Sequence, residues 1–332
     1  MPPRKTPRTI LILPALTLLI LALACTLPGR SAPTGAPPTT EETTPLEESA
    51  PPTGDAAPVD ETTPEAPAPT GEPAPTGETS PPVGPLPLQG FLPAGPITLL
   101  ALGDSVTEGE GDQDPGDLDG YGYPARLIEA LQAIRPGSTL FNFGHSGWSS
   151  DALINGEGDI PSELELSLEE VRRAQAASQP ALALVWIGSN DMWYLYEYGP
   201  DPMTAEAEAF DLENFARNID HIISELRNAG ATVLIGLLDD QSLRPVVANP
   251  SSEPRLPYTT ANDLQRMSLQ AQAYNEIILA AAAQYGAGVV DFYNTDLFTN
   301  PETISEDGIH PNSHGYDIIA EMWLEAIRGI MQ

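Results

Sequence analysis

The sequence predicts an α/β fold, a three-layer α/β/α sandwich built on a five-stranded parallel sheet. Two observations predict it. Short, continuous apolar runs recur from about residue 96 onward, and longer stretches with helical periodicity separate them. A third observation limits where it begins: 19 of the 36 prolines fall between Pro28 and Pro96, in a stretch nearly devoid of aromatic and β-branched apolar residues. Such a stretch cannot bury enough surface to offset its ordering entropy.

The strands follow in order. "ITLLAL" (97–102), "TLFNF" (139–143), "ALALVWI" (181–187), "TVLIGLL" (232–238) and "GVVDF" (288–292) lack the polar alternation of a half-exposed strand and read as buried on both faces. Helical patterns lie near 123–134, 163–178, 204–229 and 262–285, with a last one near 312–331. Pro124 and Pro161 stand where helix starts tolerate proline. Strand–helix alternation implies a parallel sheet covered on both sides. In open sheets of this kind ligands bind outside the carboxyl ends of the strands, so the residues after each strand are where chemistry is expected.

The chain ahead of the sheet divides in two. Residues 1–25 read as an export signal: Arg4, Lys5 and Arg8 precede the apolar run "ILILPALTLLILALAC", which ends at Cys25, the only cysteine among the 332 residues. "LALAC" resembles a bacterial lipobox, whose cysteine becomes lipidated, except that Ala22 stands where leucine is usual. A lipidated Cys25, an uncleaved anchor and an ordinary signal peptide are the three readings. All place the rest of the chain outside the cytoplasm, cell-envelope anchored or secreted, with the membrane engaged only through this segment. Residues 26–95, with near-copies "APTGEP" and "APTGET", read as a disordered Pro/Thr/Glu-rich tether. Residues 96–332 are then the folded domain.

Charge removes several classes of function. With 47 acidic and 14 basic residues the formal net charge is −33, and Lys5 is the only lysine, so no basic face exists for nucleic acid. One cysteine and no H-E-x-x-H leave no zinc motif, and the G-x-S-x-G elbow is missing. "GYGYPA" (120–125) follows an acidic loop rather than a strand, which argues against pyrophosphate binding.

Polar residues cluster where the sheet rule places chemistry. "GDS" follows the first strand, "NFGHSG" the second and "GSND" the third, and "DGIHPN" precedes the last helix. Together they supply a nucleophile, a base, an orienting carboxylate and oxyanion donors, the inventory of acyl transfer. On these four ordered blocks the sequence resembles the SGNH/GDSL hydrolase (lipase/esterase) family, with Ser105, Gly144, Asn190 and His310 at the named positions. Val106 departs conservatively from the family's leucine.

The resemblance implies a flavodoxin-like fold and a serine ester hydrolase without cofactor or metal. Ser105 is the implied nucleophile, His310 its base and Asp307 the group orienting the imidazole. The N–H groups of Ser105 and Gly144 and the Asn190 amide form the implied oxyanion hole, with Asp104 and Asp191 as braces. A side chain at 144 would crowd the incoming oxygen. Trp193, Tyr194 and His145 are candidate pocket residues, with Tyr196 and Tyr198 nearby, whereas His221 and His314 read as ordinary helix residues. The acidic loop 108–120, carrying Asp112, Asp114, Asp117 and Asp119, reads as a solvated wall of the site with a calcium site as the alternative. Residues 239–260 read as a lid. The expected substrate is a small-molecule, glycan or lipid ester, with no protein partner indicated. Transfer of the acyl group to a sugar or lipid alcohol, deacetylation of a carbohydrate, and a non-catalytic surface-binding lipoprotein are the alternatives.

Overall fold

A computed structural model describes residues 90–114, 120–248 and 260–331. Cys25, the export segment and nearly all of the tether lie outside the described residues, as do Asp117, Asp119 and 249–259. Among the described residues five strands form one parallel sheet: β1 (Thr98–Gly103), β2 (Thr139–Asn142), β3 (Ala181–Trp186), β4 (Thr232–Gly236) and β5 (Gly288–Val290), in the order β2-β1-β3-β4-β5. The central strands β1 and β3 are buried along their whole length, as their unbroken apolar runs require. Leu99 is in register with Leu140 on one side and Leu182 on the other.

Helices cover both faces. α2 (Gly122–Ile134) and α9 (Ser313–Ile330) pair on one; α4 (Glu163–Ala176), α6 (Ala205–Asn228) and α8 (Ala261–Tyr285) cover the other. Under α2 and α9 the core is aromatic. Tyr123 stacks on Trp323 at 5.9 Å and Trp186 on Phe292 at 4.1 Å, and on the opposite face Phe215 stacks on Tyr274 at 3.9 Å. Side chains cap the N-termini of α4, α6, α8 and α9, as in the reciprocal Thr260–Asp263 box that starts α8.

Three details differ from the sequence expectation. The strand expected to reach residue 238 stops at Gly236, because the Leu238 peptide exchanges both its hydrogen bonds with the Asn275 side chain of α8, at 2.8 Å each. Short helices beside the site also went unforeseen, among them α3 (Ser150–Asn155) and α5 (Ser189–Tyr198); α5 carries the aromatic run, and only Met192 in it is fully buried, so its apolar stripe is faint. The packed part also begins ahead of Pro96: Leu92 is fully buried and its N–H donates to the Ile330 carbonyl at 2.6 Å. Among the described residues no helix is long and apolar enough to cross a membrane.

Candidate active site

In this strand order the connections leaving β1 and β3 run to opposite sides of the sheet, which opens a crevice at their carboxyl ends. Ser105 follows β1 and Asn190 follows β3, so the switch point brings them together. The turn into Ser105 is specified locally. Asp104 is the N-cap of the one-turn helix α1 (Ser105–Glu108) and accepts the Val106 N–H at 3.0 Å. Gly103 is needed there because a Cβ would stand 2.3 Å from both Thr107 Oγ1 and the Trp186 carbonyl oxygen. Its N–H donates to Glu163 Oε2 at 2.9 Å.

From the far end of the sequence, the loop before α9 brings in His310. Its Nε2 lies 2.9 Å from Ser105 Oγ and its Nδ1 lies 2.7 Å from Asp307 Oδ2. Asp307 Oδ1 accepts the Ile309 N–H at 2.7 Å, the His310 N–H at 3.0 Å and the Ser305 hydroxyl at 2.7 Å. Burial works to raise the Asp307 carboxyl, but the bonds from the His310 ring, the two backbone N–H groups and Ser305 hold it well below the usual carboxylate range.

Gly144 sits elsewhere than expected. Its N–H donates to Asn142 Oδ1 at 3.1 Å, and a Cβ there would meet Glu108 N at 2.5 Å and the Thr107 backbone at 2.7 Å. Gly144 is thus the seat of α1 on the loop after β2, not a crowding-sensitive edge of the cleft. The glycine that lines the cleft with Ser105 and Asn190 is Gly147, in the left-handed region at φ +82°. Both glycines belong to "NFGHSG", the loop after β2, and Gly147 is the one of the two that lines the cleft. Asn190 also lines the cleft, its amide held by donation to the Trp148 carbonyl at 2.9 Å, which leaves its second N–H free to serve the cleft.

Asp104 is buried and Asp191 half-buried, and desolvation lifts each carboxyl to about 6. Hydrogen bonds oppose this, from the Val106 N–H at Asp104 and from Ser150 at Asp191. Asp104 caps α1, the helix that Ser105 opens. Asp191 accepts the Ser150 N–H at 2.8 Å and the Ser150 hydroxyl, so it ties α5 to α3.

Trp193 and Tyr194 line the cleft, Tyr194 donating to the Gly147 carbonyl at 2.6 Å. His145 does not line it; its ring packs edge-on against Trp148 at 4.8 Å. The cleft is also lined by residues that the sequence does not single out, among them Glu110, Glu197, Gln241 and Arg244. Arg244 is buried and bidentate with Asp239, at 2.8 and 2.7 Å, and lies 4.4 Å over the Phe298 ring.

Residues 239–248, expected in a lid, are instead a packed wall ending in the one-turn helix α7 (Pro245–Ala248), with Asp239, Gln241, Ser242 and Arg244 all buried. In the acidic loop, Asp112 is engaged by Arg126 at 2.5 Å, by the Gly122 N–H at 2.8 Å and by the Ser313 hydroxyl at 2.7 Å. Among the described residues no group of three or more His, Cys, Asp or Glu side chains could hold a metal ion.

A parallel α/β/α sandwich with a serine, an imidazole and a carboxylate in hydrogen-bonded sequence at its switch point belongs to the class of α/β/α hydrolases. The family is specific. Residues 101–318 match the profile of the GDSL-like Lipase/Acylhydrolase family, and the chain belongs to that family as a carboxylic ester hydrolase. It is 22% identical over 235 residues to the uncharacterized protein YpmR of Bacillus subtilis, covering 70% of this chain and 82% of that one. A multidomain esterase of Ruminococcus flavefaciens is 23% identical over 261 residues, 72% of this chain but 29% of that protein. Among solved structures, the acetylxylan esterase Axe2 of Geobacillus stearothermophilus is 21% identical with a TM-score of 0.46, covering 71% of this chain and 96% of that one. LAE5, an alpha/beta hydrolase from the metagenome of Lake Arreo, is 19% identical with a TM-score of 0.48, covering 73% and 100%.

Proposed function

We propose that the chain hydrolyses short-chain carboxylic esters through an acyl-enzyme on Ser105. The hydrogen-bonded run Ser105 Oγ–His310 Nε2–Asp307 carries this reading. A serine hydroxyl is a weak nucleophile until a neighbouring base takes its proton, and His310 stands at the right distance for that transfer. Asp307 on Nδ1 keeps the other ring nitrogen free to accept, and steadies the imidazolium once formed. The proton then passes from Nε2 to the departing alcohol, and water repeats the cycle on the acyl-enzyme.

For the tetrahedral oxyanion we assign the Ser105 N–H, the Gly147 N–H and the Asn190 amide. Ser105 opens α1, so its N–H has no acceptor within the helix. Gly147 replaces Gly144 in this role because the Gly144 N–H is already spent on Asn142. The preference for short acyl groups, such as acetyl on a carbohydrate or other alcohol, is supported by a cleft of only about 270 Å³ with several charged residues in its wall. The named esterases among the relatives agree with an ester substrate.

The test is hydrolysis of p-nitrophenyl esters from acetate to palmitate by the full chain and by Ser105→Ala. The expected result is activity greatest on the shortest esters and abolished in the variant. Activity that survives Ser105→Ala overturns the assignment.

We propose in addition that the domain works outside the cytoplasm, on the strength of the positive head and apolar run ahead of Cys25. Metabolic labelling with a radioactive fatty acid tests lipid attachment, and label retained by Cys25→Ser rules it out.

A further inference from the structure

Glu110 takes no part in the chemistry above, yet it is held at its centre. Its N–H donates to the Ser105 carbonyl at 2.9 Å and its carbonyl accepts the Tyr316 hydroxyl at 2.6 Å, so its backbone is pinned between the nucleophile's turn and α9. Its side chain reaches into the cleft. Oε2 accepts the Ser146 hydroxyl at 2.6 Å and stands 3.6 Å from His310 Nε2. Ser146 is itself fixed, since its N–H donates to Glu108 Oε2 at 2.6 Å. The imidazole thus has a carboxylate at each nitrogen: Asp307 bonded to Nδ1, and Glu110 near Nε2 but out of direct contact.

That spacing suits a third group. Two acceptors 3.6 Å apart can both be met by one water at ordinary hydrogen-bond lengths of about 2.7–2.9 Å. In the free enzyme Ser105 Oγ occupies the bond to Nε2. Once Oγ carries the acyl group, Nε2 is open, and it faces the space where the second nucleophile must arrive. A water there donates one hydrogen to Nε2 and the other to Glu110 Oε2, which leaves a lone pair for the acyl carbon. Ser146 holds the carboxylate in place without using up its acceptor capacity, since an ionised carboxylate has about four lone-pair sites.

We propose that Glu110 is the positioning residue for the water that deacylates the enzyme, an inference that rests on the acyl-enzyme reading above. In the step itself the water oxygen bonds to the acyl carbon while one proton passes to His310 Nε2. The tetrahedral intermediate then breaks its bond to Ser105 Oγ, which recovers that proton from Nε2. The second hydrogen stays on the new carboxylic acid, its bond to Glu110 maintained throughout. Glu110 acts in the second half-reaction because the first has no water to hold.

The experiment is steady-state kinetics of the full chain and of Glu110→Ala and Glu110→Gln on p-nitrophenyl acetate, with the mass of acid-quenched enzyme read during turnover. For an ester with a good leaving group, kcat/KM reports acylation and slowed deacylation shows in kcat. Glu110→Ala is expected to lower kcat about tenfold or more, the loss of one hydrogen bond to a charged acceptor. Its kcat/KM should change by less than about threefold, and acetyl-enzyme should accumulate. Glu110→Gln, which keeps an acceptor oxygen without charge, should fall between.

Equal falls in kcat and kcat/KM would make Glu110 structural and overturn the proposal, as would unchanged kcat in both variants. A wild-type chain that never acquires acyl mass overturns the underlying reading instead, which separates the two failures.

Discussion

Asp307 grips His310 from two sides of a single turn. One carboxylate oxygen lies 2.7 Å from the ring Nδ1, while the other accepts the N–H of His310 itself at 3.0 Å. The ring is thereby oriented by its own backbone as well as by its partner. The three-residue spacing makes this possible, since the reversal at Gly308 (φ +69°) returns the chain over the carboxylate.

Asp307→Asn should therefore uncouple orientation from charge. The amide oxygen can still take the backbone N–H groups, but its NH2 turned to Nδ1 forces the ring proton onto Nε2, where it cannot accept from Ser105. We expect kcat/KM to fall about 10²–10⁴-fold with the melting temperature nearly kept. A loss under threefold would remove Asp307 from the mechanism.

Asn190 and Gly144 should respond in opposite currencies. Asn190→Ala removes a side-chain donor at the cleft, and kcat should drop about 10²–10³-fold with KM little changed. Gly144→Ala drives a Cβ into the Thr107–Glu108 backbone, so its main effect should be a stability loss of about 1–3 kcal/mol, read by denaturant unfolding. A Gly144→Ala protein that is stable but inactive would return Gly144 to the oxyanion hole.

The Arg244–Asp239 pair is buried at both ends, with side chains only 4% and 8% exposed. Removing one partner strands a charge, and Arg244→Met should cost about 3–5 kcal/mol in urea unfolding. Adding Asp239→Asn should recover much of that loss. Additive losses in the double variant would show that the two residues stabilise the wall separately.

Glu163 predicts a pH dependence. Burial lifts its carboxyl from 4.5 to about 9, against the Gly103 N–H and with help from Asp104 and Glu108. Between those values the folded chain holds a proton that the unfolded chain has released. The contribution of Glu163 is thus fully present below about 4.5 and is lost progressively as pH rises toward 9. Glu163→Gln should abolish that loss, so its melting temperature should gain on the wild type steadily from pH 5 to pH 8. A constant difference across that range would mean that Glu163 is ionised in the fold.

Much was legible in the linear chain because the signals are local. The apolar runs of β1 and β3 announce strands buried on both faces, and the Asp-Ser turn after β1 and the Asp-x-x-His spacing before α9 each encode a short-range geometry. These fix the fold class and the loop ends from which Ser105, Asn190, Asp307 and His310 project, since a parallel sheet gathers its active residues at one edge. The helix α5 was hidden because its aromatic residues stay half exposed and leave only a weak periodic stripe.

The remainder of the site depends on contacts between distant segments. Gly147 and Gly144 look alike in "NFGHSG"; they differ because Asn142 consumes one N–H and α1 presses on one Cα. Arg244 sits in a segment whose composition suggests a mobile loop, and its burial follows from Asp239 and Phe298 closing around it. Glu110 is one acid among several after Ser105, distinguished by Ser146, by Tyr316 of α9 and by an imidazole 200 positions away in the chain. Residue type and spacing specify what a segment can offer, but which donors and acceptors remain free for substrate is settled when packing pairs the others.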